Sequence, residues 1–307
     1  MPDGRFAPSP TGPLHLGNLR TALLAWLFAR SSGSRFLLRM EDLDPATARP
    51  EHEAGQRRDL AALGLDWDGE VVRQSARRPV HDAAITRLEA DGLTYPCYCS
   101  RREIQEASAA PHGPASLAPY PGTCRALDLS QRAAREAEGR VPALRLRTDG
   151  TRLGFQDRLH GWVEGPVDDV VLRRNDGTPS YNLAVVVDDE AQGVGEVVRG
   201  DDLLASTPRQ LHLAGLLGLS APGYAHVPLV LAPDGSRLAK RHGAVTLADR
   251  AALGHSSGRV LADLAVSVGL ASSGESVTVD RLLARFEPDA LPRAPWVLSP
   301  DEVAGGP

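Results

Sequence analysis

Lysine is almost missing from this chain. Of its 34 basic residues only Lys240 is a lysine, and every other one is an arginine. The scarcity excludes a P-loop, because the Walker pattern ends in Gly-Lys-Ser/Thr and here Ala239 precedes Lys240 and Arg241 follows it. If the chain uses ATP, it holds it in another cradle. Cysteine is also scarce. Three residues are too few for a disulfide framework and suit a reducing compartment. No apolar run approaches the roughly 20 residues that span a bilayer, which excludes an integral membrane protein and any membrane partner of that kind. The opening Met1-Pro2-Asp3-Gly4-Arg5 lacks the basic and apolar regions of a signal peptide, so a cytoplasmic location is expected. An excess of positive charge is missing too. A net charge of -5 does not advertise a nucleic-acid binder, although a local basic face can still hold an anionic partner.

What is present is an ordinary globular composition. With 307 residues, 42% apolar and 24% charged, the chain can build a sizeable core and two structural units. Arg5 to Ala7 reads as a short strand that breaks at Pro8-Ser9-Pro10-Thr11-Gly12-Pro13. Leu19, Leu23, Trp26 and Leu27 recur at helical spacing between Gly17 and Arg30, and Arg35 to Met40 has the apolar centre of a buried strand. Strand, loop, helix, strand is the opening unit of a parallel α/β sheet. Helical patterns follow at 52–63 and 80–91. Residues 1–95 thus make the first half of a catalytic-type domain.

Composition shifts after Tyr95. All three cysteines and a stretch rich in Pro, Gly, Ala and Ser fall between Cys97 and Cys124, so 96–180 reads as an insertion. Within it Ala143 to Arg147 alternates as a half-buried strand does. Val170 to Leu172 and Leu183 to Val187 flank Asn175-Asp176-Gly177, the signal of a hairpin turn. Residues 181–246 read as the second half of the sheet, with a helix at 207–217. Residues 247–307 look helical and end in a Gly305-Gly306-Pro307 tail expected to be disordered.

Two segments carry phosphate chemistry. In the first, His15-Leu16-Gly17-Asn18 lies at a strand-to-helix junction, where unpaired N–H groups and the positive end of the helix dipole favour a phosphate. Gly17 lets a nucleotide approach the backbone, and His15 can donate to a phosphate oxygen as charge builds. The alternative is that Pro-Thr-Gly-Pro is a tight turn and His15 a polar cap. In the second, Arg237-Leu238-Ala239-Lys240-Arg241 lies on a loop after Pro233-Asp234-Gly235-Ser236. A basic loop is usually a solvated surface. In a chain that writes arginine everywhere else, a lone lysine argues for a position that needs a compact ammonium.

With these two segments the chain resembles a class I aminoacyl-tRNA synthetase of the glutamyl branch. His15 to Asn18 stands in place of the HIGH signature and Arg237 to Arg241 in place of KMSKS. Arg39 to Asp44, Ser180 to Ala184, Val198 to Leu203 and Ser206 to Gln210 keep the family's order across residues 4–250. The resemblance implies an α/β fold with a Rossmann-type parallel sheet, an inserted zinc-containing α+β subdomain and a short helical C-terminal region. It implies ATP, accompanied by Mg2+, at His15, Gly17, Asn18, Arg237 and Lys240, with His15 and Lys240 as the catalytic pair. Two positions depart from the loop signature. Arg237 replaces its first lysine with charge kept, and Ala239 replaces its serine with loss of the hydroxyl.

A glutamate ligand needs a cation for its side-chain carboxylate, an anion for its ammonium and donors for its α-carboxylate. Arg5 and Arg199 are the cation candidates, since a planar guanidinium suits a carboxylate. Glu41 suits the ammonium. The segment Phe6-Ala7-Pro8-Ser9 offers backbone and hydroxyl contacts, and Tyr181 offers a hydroxyl and a wall. All match the family's glutamate positions. Asp188 and Asp189 are expected to be structural or to support the residues around the ligand.

Cys97 and Cys99, at i and i+2 of an extended segment, face the same way and can bind one ion. With Cys124 they supply three of the four ligands that structural zinc takes. His112 is one candidate for the fourth. The resemblance points instead to Tyr120, through a Cys-x-Cys…Tyr-x-x-x-Cys pattern. The expected zinc is structural, one per chain.

Residues 247–307 are too few for a further anticodon-reading domain of the usual 100 or more residues. Short members of the glutamyl branch attach glutamate to queuosine in the anticodon loop of tRNA(Asp), and activate it without tRNA. ATP, L-glutamate and queuosine-bearing tRNA(Asp) are therefore the expected partners of a monomer. The rivals are a compact enzyme charging a tRNA 3′ end, a related nucleotidyltransferase without tRNA, which would not need the glutamate pocket or Thr207 to Gln210, and a catalytically silent tRNA-binding paralogue.

Overall fold

Apolar residues crowd every side of the first helix, and that decides where it sits. In this computed structural model, which describes residues 2–100, 102–104, 120–238, 242–243 and 245–304, α1 (Leu16–Ser31) is buried nearly all round. Leu19, Leu23, Trp26 and Leu27 are joined in the core by Ala22, Leu24, Ala25, Phe28 and Ala29. A helix without a polar face belongs inside, not on the surface. It packs on β1 (Asp3–Phe6) so closely that a Cβ on Gly4 would stand 2.9 Å from that of Ala29.

The strands β2 (Phe36–Met40), β3 (Val72–Arg73), β9 (Val194–Gly200), β10 (Gly223–Val227), β6 (Arg152–Asp157) and β7 (Gly161–Pro166) join β1 in one seven-stranded sheet. Its order is β3-β2-β1-β9-β10-β6-β7. All neighbours are parallel except β6 and β7, an antiparallel edge. Helices α2 (Pro50–Ala62), α3 (Arg78–Ala90), α5 (Tyr181–Ala191) and α6 (Thr207–Leu217) accompany the strands. The strand order reverses between β1 and β9. In open α/β sheets a ligand crevice forms at such a switch point, outside the carboxyl ends of the strands.

The segment 96–180 supplies strands to two sheets. The small antiparallel sheet is β4-β5-β8, from Thr94–Cys97, Ala143–Leu146 and Val171–Arg173. The hairpin β6–β7 instead extends the main sheet, with Tyr224 of β10 in register with Asp157. The helix α4 (Leu129–Ala137) lies between β4 and β5. The turn at Asn175-Asp176-Gly177 is real, closed by Arg174 N–H to Thr178 O at 2.8 Å. Its far arm is not the expected strand. After a single bridge at Pro179, Ser180 caps α5, and the Leu183–Val187 run lies inside that helix. A short fully buried apolar run carries no periodicity to separate strand from helix.

The C-terminal part is less helical than expected. It holds α7 (Leu247–Ala252), α8 (Ser257–Ser267), α9 (Val279–Arg285) and α10 (Pro300–Ala304), but also β12 (Trp296–Val297), which runs parallel to β11 (Val230–Leu231). Val260, Leu261, Leu264, Leu282 and Phe286 share the core with α1. Phe286 meets Phe28 edge to face at 5.1 Å. The tail 305–307 lies outside the described residues.

Candidate active site

Glutamate-type chemistry needs opposite charges held apart without water, and the switch point supplies them. Arg5 leaves β1 4% exposed, and its Nε and Nη2 reach both oxygens of Asp189 at 3.2 Å each. Arg39 of β2, fully buried, donates to Asp189 Oδ1 at 2.7 Å and approaches Glu41 at 3.5 Å. Asp189 therefore holds two guanidinium groups, which keeps its carboxyl below its ordinary range despite burial. Glu41 goes the other way. Its burial outweighs the attraction of Arg39 and Arg5 and pushes its pKa up. Its backbone N–H bonds Pro8 O at 3.0 Å, fixing the end of β2 to the loop after β1.

Arg199, at the end of β9 and 5% exposed, is oriented through a chain of three side chains. Its Nε donates to His226 Nε2 at 3.0 Å and its Nη2 to Thr207 Oγ1 at 2.8 Å. Since His226 accepts at Nε2, its proton lies on Nδ1 and is given to Asp157 Oδ2 at 2.7 Å. Burial holds the His226 pKa below its usual value, and the neutral ring is the form this chain requires. Among the described residues neither Arg5 nor Arg199 uses its Nη1 for a hydrogen bond. Tyr181, 36% exposed, stands at the rim. Burial and the Glu41 carboxylate raise its phenol pKa, while Arg199 and Arg5 oppose them, so one hydroxyl feels the charges of both arginines and of Glu41. Phe6 and Pro8 are buried, and Ser9 is exposed. The loop that carries Ser9 is pinned by Gln56, whose amide donates to Ser9 O at 2.9 Å and Gly12 O at 2.8 Å.

His15 both caps α1 and keeps a proton to give. Its Nδ1 accepts the Asn18 N–H at 3.2 Å while Asn18 Oδ1 accepts the His15 N–H at 3.2 Å, a reciprocal capping box. The bond to Nδ1 leaves the neutral ring's proton on Nε2. Burial, helped by the charge of Arg237, lowers the His15 pKa. Gly17 has a local reason as well. A Cβ there would stand 3.0 Å from both Cε1 and Nδ1 of His15. The two ends of the lysine loop are beside this helix head. Leu16 N–H bonds Val245 O at 2.8 Å, His15 bridges Thr246, and the exposed Arg237 pairs with Asp202. Lys240 itself lies outside the described residues, as do Ala239 and Arg241.

The cap and donor readings of His15 separate by mutation. His15→Asn keeps a capping oxygen, and a Tm within about 2 °C of wild type is expected. Adenylate formation should fall about 10²-fold with loss of the Nε2 donor. A variant with unchanged turnover would leave His15 as a cap alone.

The cysteines converge away from this crevice. The Sγ atoms of Cys97, Cys99 and Cys124 lie within 4.8 Å of one another. The Tyr120 hydroxyl is 3.3 Å from Cys97 Sγ and 3.7 Å from Cys99 Sγ, and Cys99 and Cys124 are 3.4 Å apart. Zinc–sulfur bonds of about 2.3 Å imply sulfur separations of about 3.8 Å in a tetrahedron, and the three thiols lie close enough to share one metal ion. His112 lies outside the described residues.

Arg39, Gln56, Asp157, Thr207 and His226 have no place among the sequence-derived site residues. Arg39 and Thr207 alone left a signal, as members of the Arg39 to Asp44 and Ser206 to Gln210 segments.

Residues 3–266 match the family described as tRNA synthetases class I (E and Q), catalytic domain, and the chain belongs to that family. Within it, the chain is 64% identical over 296 residues to the glutamyl-Q tRNA(Asp) synthetase of Nocardia farcinica, covering 96% of this chain and 93% of that one. It is 48% identical to the protein of the same name from Symbiobacterium thermophilum, covering 98% and 97%. Among solved structures it resembles a glutamate tRNA ligase from Elizabethkingia meningosepticum in complex with its amino acid. That match has a TM-score of 0.80 at 26% identity and covers 98% of this chain and 68% of the other.

Proposed function

We propose that this enzyme activates L-glutamate with ATP, without tRNA, and transfers it to queuosine in the anticodon loop of tRNA(Asp). The convergence of Arg5, Glu41, Tyr181 and Arg199 at the switch point, next to the head of α1, carries the glutamate part. The near full-length identity to the Nocardia farcinica enzyme carries the acceptor.

In this reading Arg5 and Arg199 receive the ligand's side-chain carboxylate through their remaining N–H groups, and Glu41 receives its ammonium. The Ala7 backbone, the Ser9 hydroxyl and Tyr181 complete the pocket around Phe6 and Pro8. The α-carboxylate attacks the α-phosphorus of ATP, the bond to the bridging oxygen breaks, and pyrophosphate leaves. Mg2+ accompanies the triphosphate as part of the substrate. His15, through Nε2–H, and Lys240 stabilise the charge that grows on the phosphate oxygens. Gly17, Asn18 and Arg237 line the nucleotide's path. A hydroxyl of the queuosine ring then attacks the mixed anhydride, and AMP departs. Glutamate-dependent pyrophosphate exchange in the absence of any tRNA tests the first step. Exchange that appears only when tRNA is added would contradict it.

The donor set of Cys97, Cys99, Cys124 and Tyr120 fits a structural zinc, which would hold β4 to the segment before α4. Burial pushes the Cys99 thiol up to about 12, while the Tyr120 hydroxyl and the Arg145 charge outweigh burial at Cys97 and lower its pKa, so the thiols differ in how readily they ionise before a metal binds. Metal analysis should find about one zinc per chain in wild type, and Cys124→Ala should lose it. Zinc-free wild type of full stability would contradict the assignment.

A further inference from the structure

A cavity opens beside the head of α1, and a cation that lines it has no hydrogen-bond or ion-pair partner among the described residues. Arg250, on α7, is 5% exposed, and its guanidinium makes no hydrogen bond or ion pair among the described residues. Its Nε is completely buried and unbonded, and so is Nδ1 of His255. Both residues line a cavity of about 510 Å³, open on one side, with Leu16, Val260 and Trp296 as its apolar wall. A buried charge left unpaired is costly, so native proteins pair such groups or bind something to them.

The acids nearby are already engaged. Asp263 accepts from Arg259 at 3.0 Å, Glu275 pairs with Arg285 at 2.7 Å, and Glu302 accepts the Ser299 N–H at 2.6 Å. Asp263 and Glu302 act on Arg250 electrostatically, but neither forms an ion pair with it. The 11-residue helix α8 adds donors. Ser256 takes the Arg259 N–H, while those of Ser257 and Gly258 have no acceptor among the described residues. A Cβ on Gly258 would meet only Ser256 Oγ, at 3.8 Å, so there is open space beside the first turn of α8 where it lines the cavity.

We propose that this cavity binds a small phosphate monoester or free phosphate, held by Arg250, His255 and the first N–H groups of α8. A planar guanidinium beside a helix N-terminus is the arrangement that takes a phosphate oxygen pair. The volume exceeds a bare phosphate, and the Trp296 wall gives an organic substituent an apolar surface. The site is formed mostly by C-terminal residues and reaches the head of α1 through Leu16. α7 starts directly after Thr246, whose backbone bridges His15.

The test is thermal unfolding with the adenylate crevice filled by a non-hydrolysable glutamyl-adenylate analogue. Inorganic phosphate and ribose 5-phosphate are each compared with chloride at equal ionic strength. Wild type should gain about 3 °C at millimolar concentration of one or both. A larger gain with the ester identifies a phosphorylated small molecule, and equal gains identify the free ion. Arg250→Met should lose the gain and, without phosphate, melt no lower than wild type, because an unpaired buried charge has been removed. Gly258→Leu should lose the gain by filling the space, with pyrophosphate exchange within about twofold of wild type. No gain in wild type, or a full gain in either variant, would overturn the site. If Arg250→Met fails to fold, the guanidinium is structural, and a gain retained by Gly258→Leu then overturns the proposal.

Discussion

Arg199→Lys is expected to lower kcat/KM for glutamate in pyrophosphate exchange by about 10² to 10³, with the fold intact. Two of the guanidinium's nitrogens are committed to His226 and Thr207, and those bonds fix the orientation of the fork. An ammonium has no fork. It could keep one of these bonds or reach the ligand, and either choice leaves a buried polar group without its partner. Removing one member of a buried charge pair costs about 2–5 kcal/mol, which sets the size of the expected loss. The loss should fall mainly on KM for glutamate, because in the proposed pocket Arg199 would hold the side-chain carboxylate equally before and during reaction. A change below about fivefold would remove Arg199 from the pocket.

Lys240→Arg should reduce kcat for adenylate formation by about 10² to 10³ while KM for glutamate changes by less than about threefold. The argument is chemical. In a chain of 34 basic residues with a single lysine, this position keeps the small, strongly hydrated ammonium that can follow a moving phosphate as a point charge. Arginine carries the same charge on a wider plane and cannot occupy the same place. Single-turnover adenylate formation separates this effect from product release. Wild-type turnover in Lys240→Arg would mean that the loop contributes charge alone.

The central sheet was legible because its information is local. Pro8 to Pro13 had to break a strand, Leu19 to Leu27 had to be a helix, and Phe36 to Met40 had to be buried, whatever surrounded them. The β6–β7 edge was not, because its placement depends on pairing with β10, far away in the chain. Leu183 to Val187 misled as a strand for a related reason. Only the cap at Ser180 and burial on several sides make it a helix. At the site, the residues proposed to meet the ligand directly were named one by one from their chemistry and the family's motifs: Arg5, Glu41, Tyr181 and Arg199. Their supports could not. That Asp189 would hold two arginines, or that His226 and Asp157 would orient a third, is a property of strands brought side by side. The expectation that Asp188 and Asp189 are structural agrees with the fold. Asp188 is completely buried and takes Gln74, Arg77 and His81.

The most direct measurement is the transfer of labelled glutamate to two samples of tRNA(Asp), one carrying queuosine and one carrying unmodified guanosine at that position. Labelling of the modified sample alone, at a site that survives removal of the 3′-terminal nucleotide, is the predicted result. Equal labelling of both samples, or labelling of the 3′-terminal ribose of tRNA(Glu), would contradict the account.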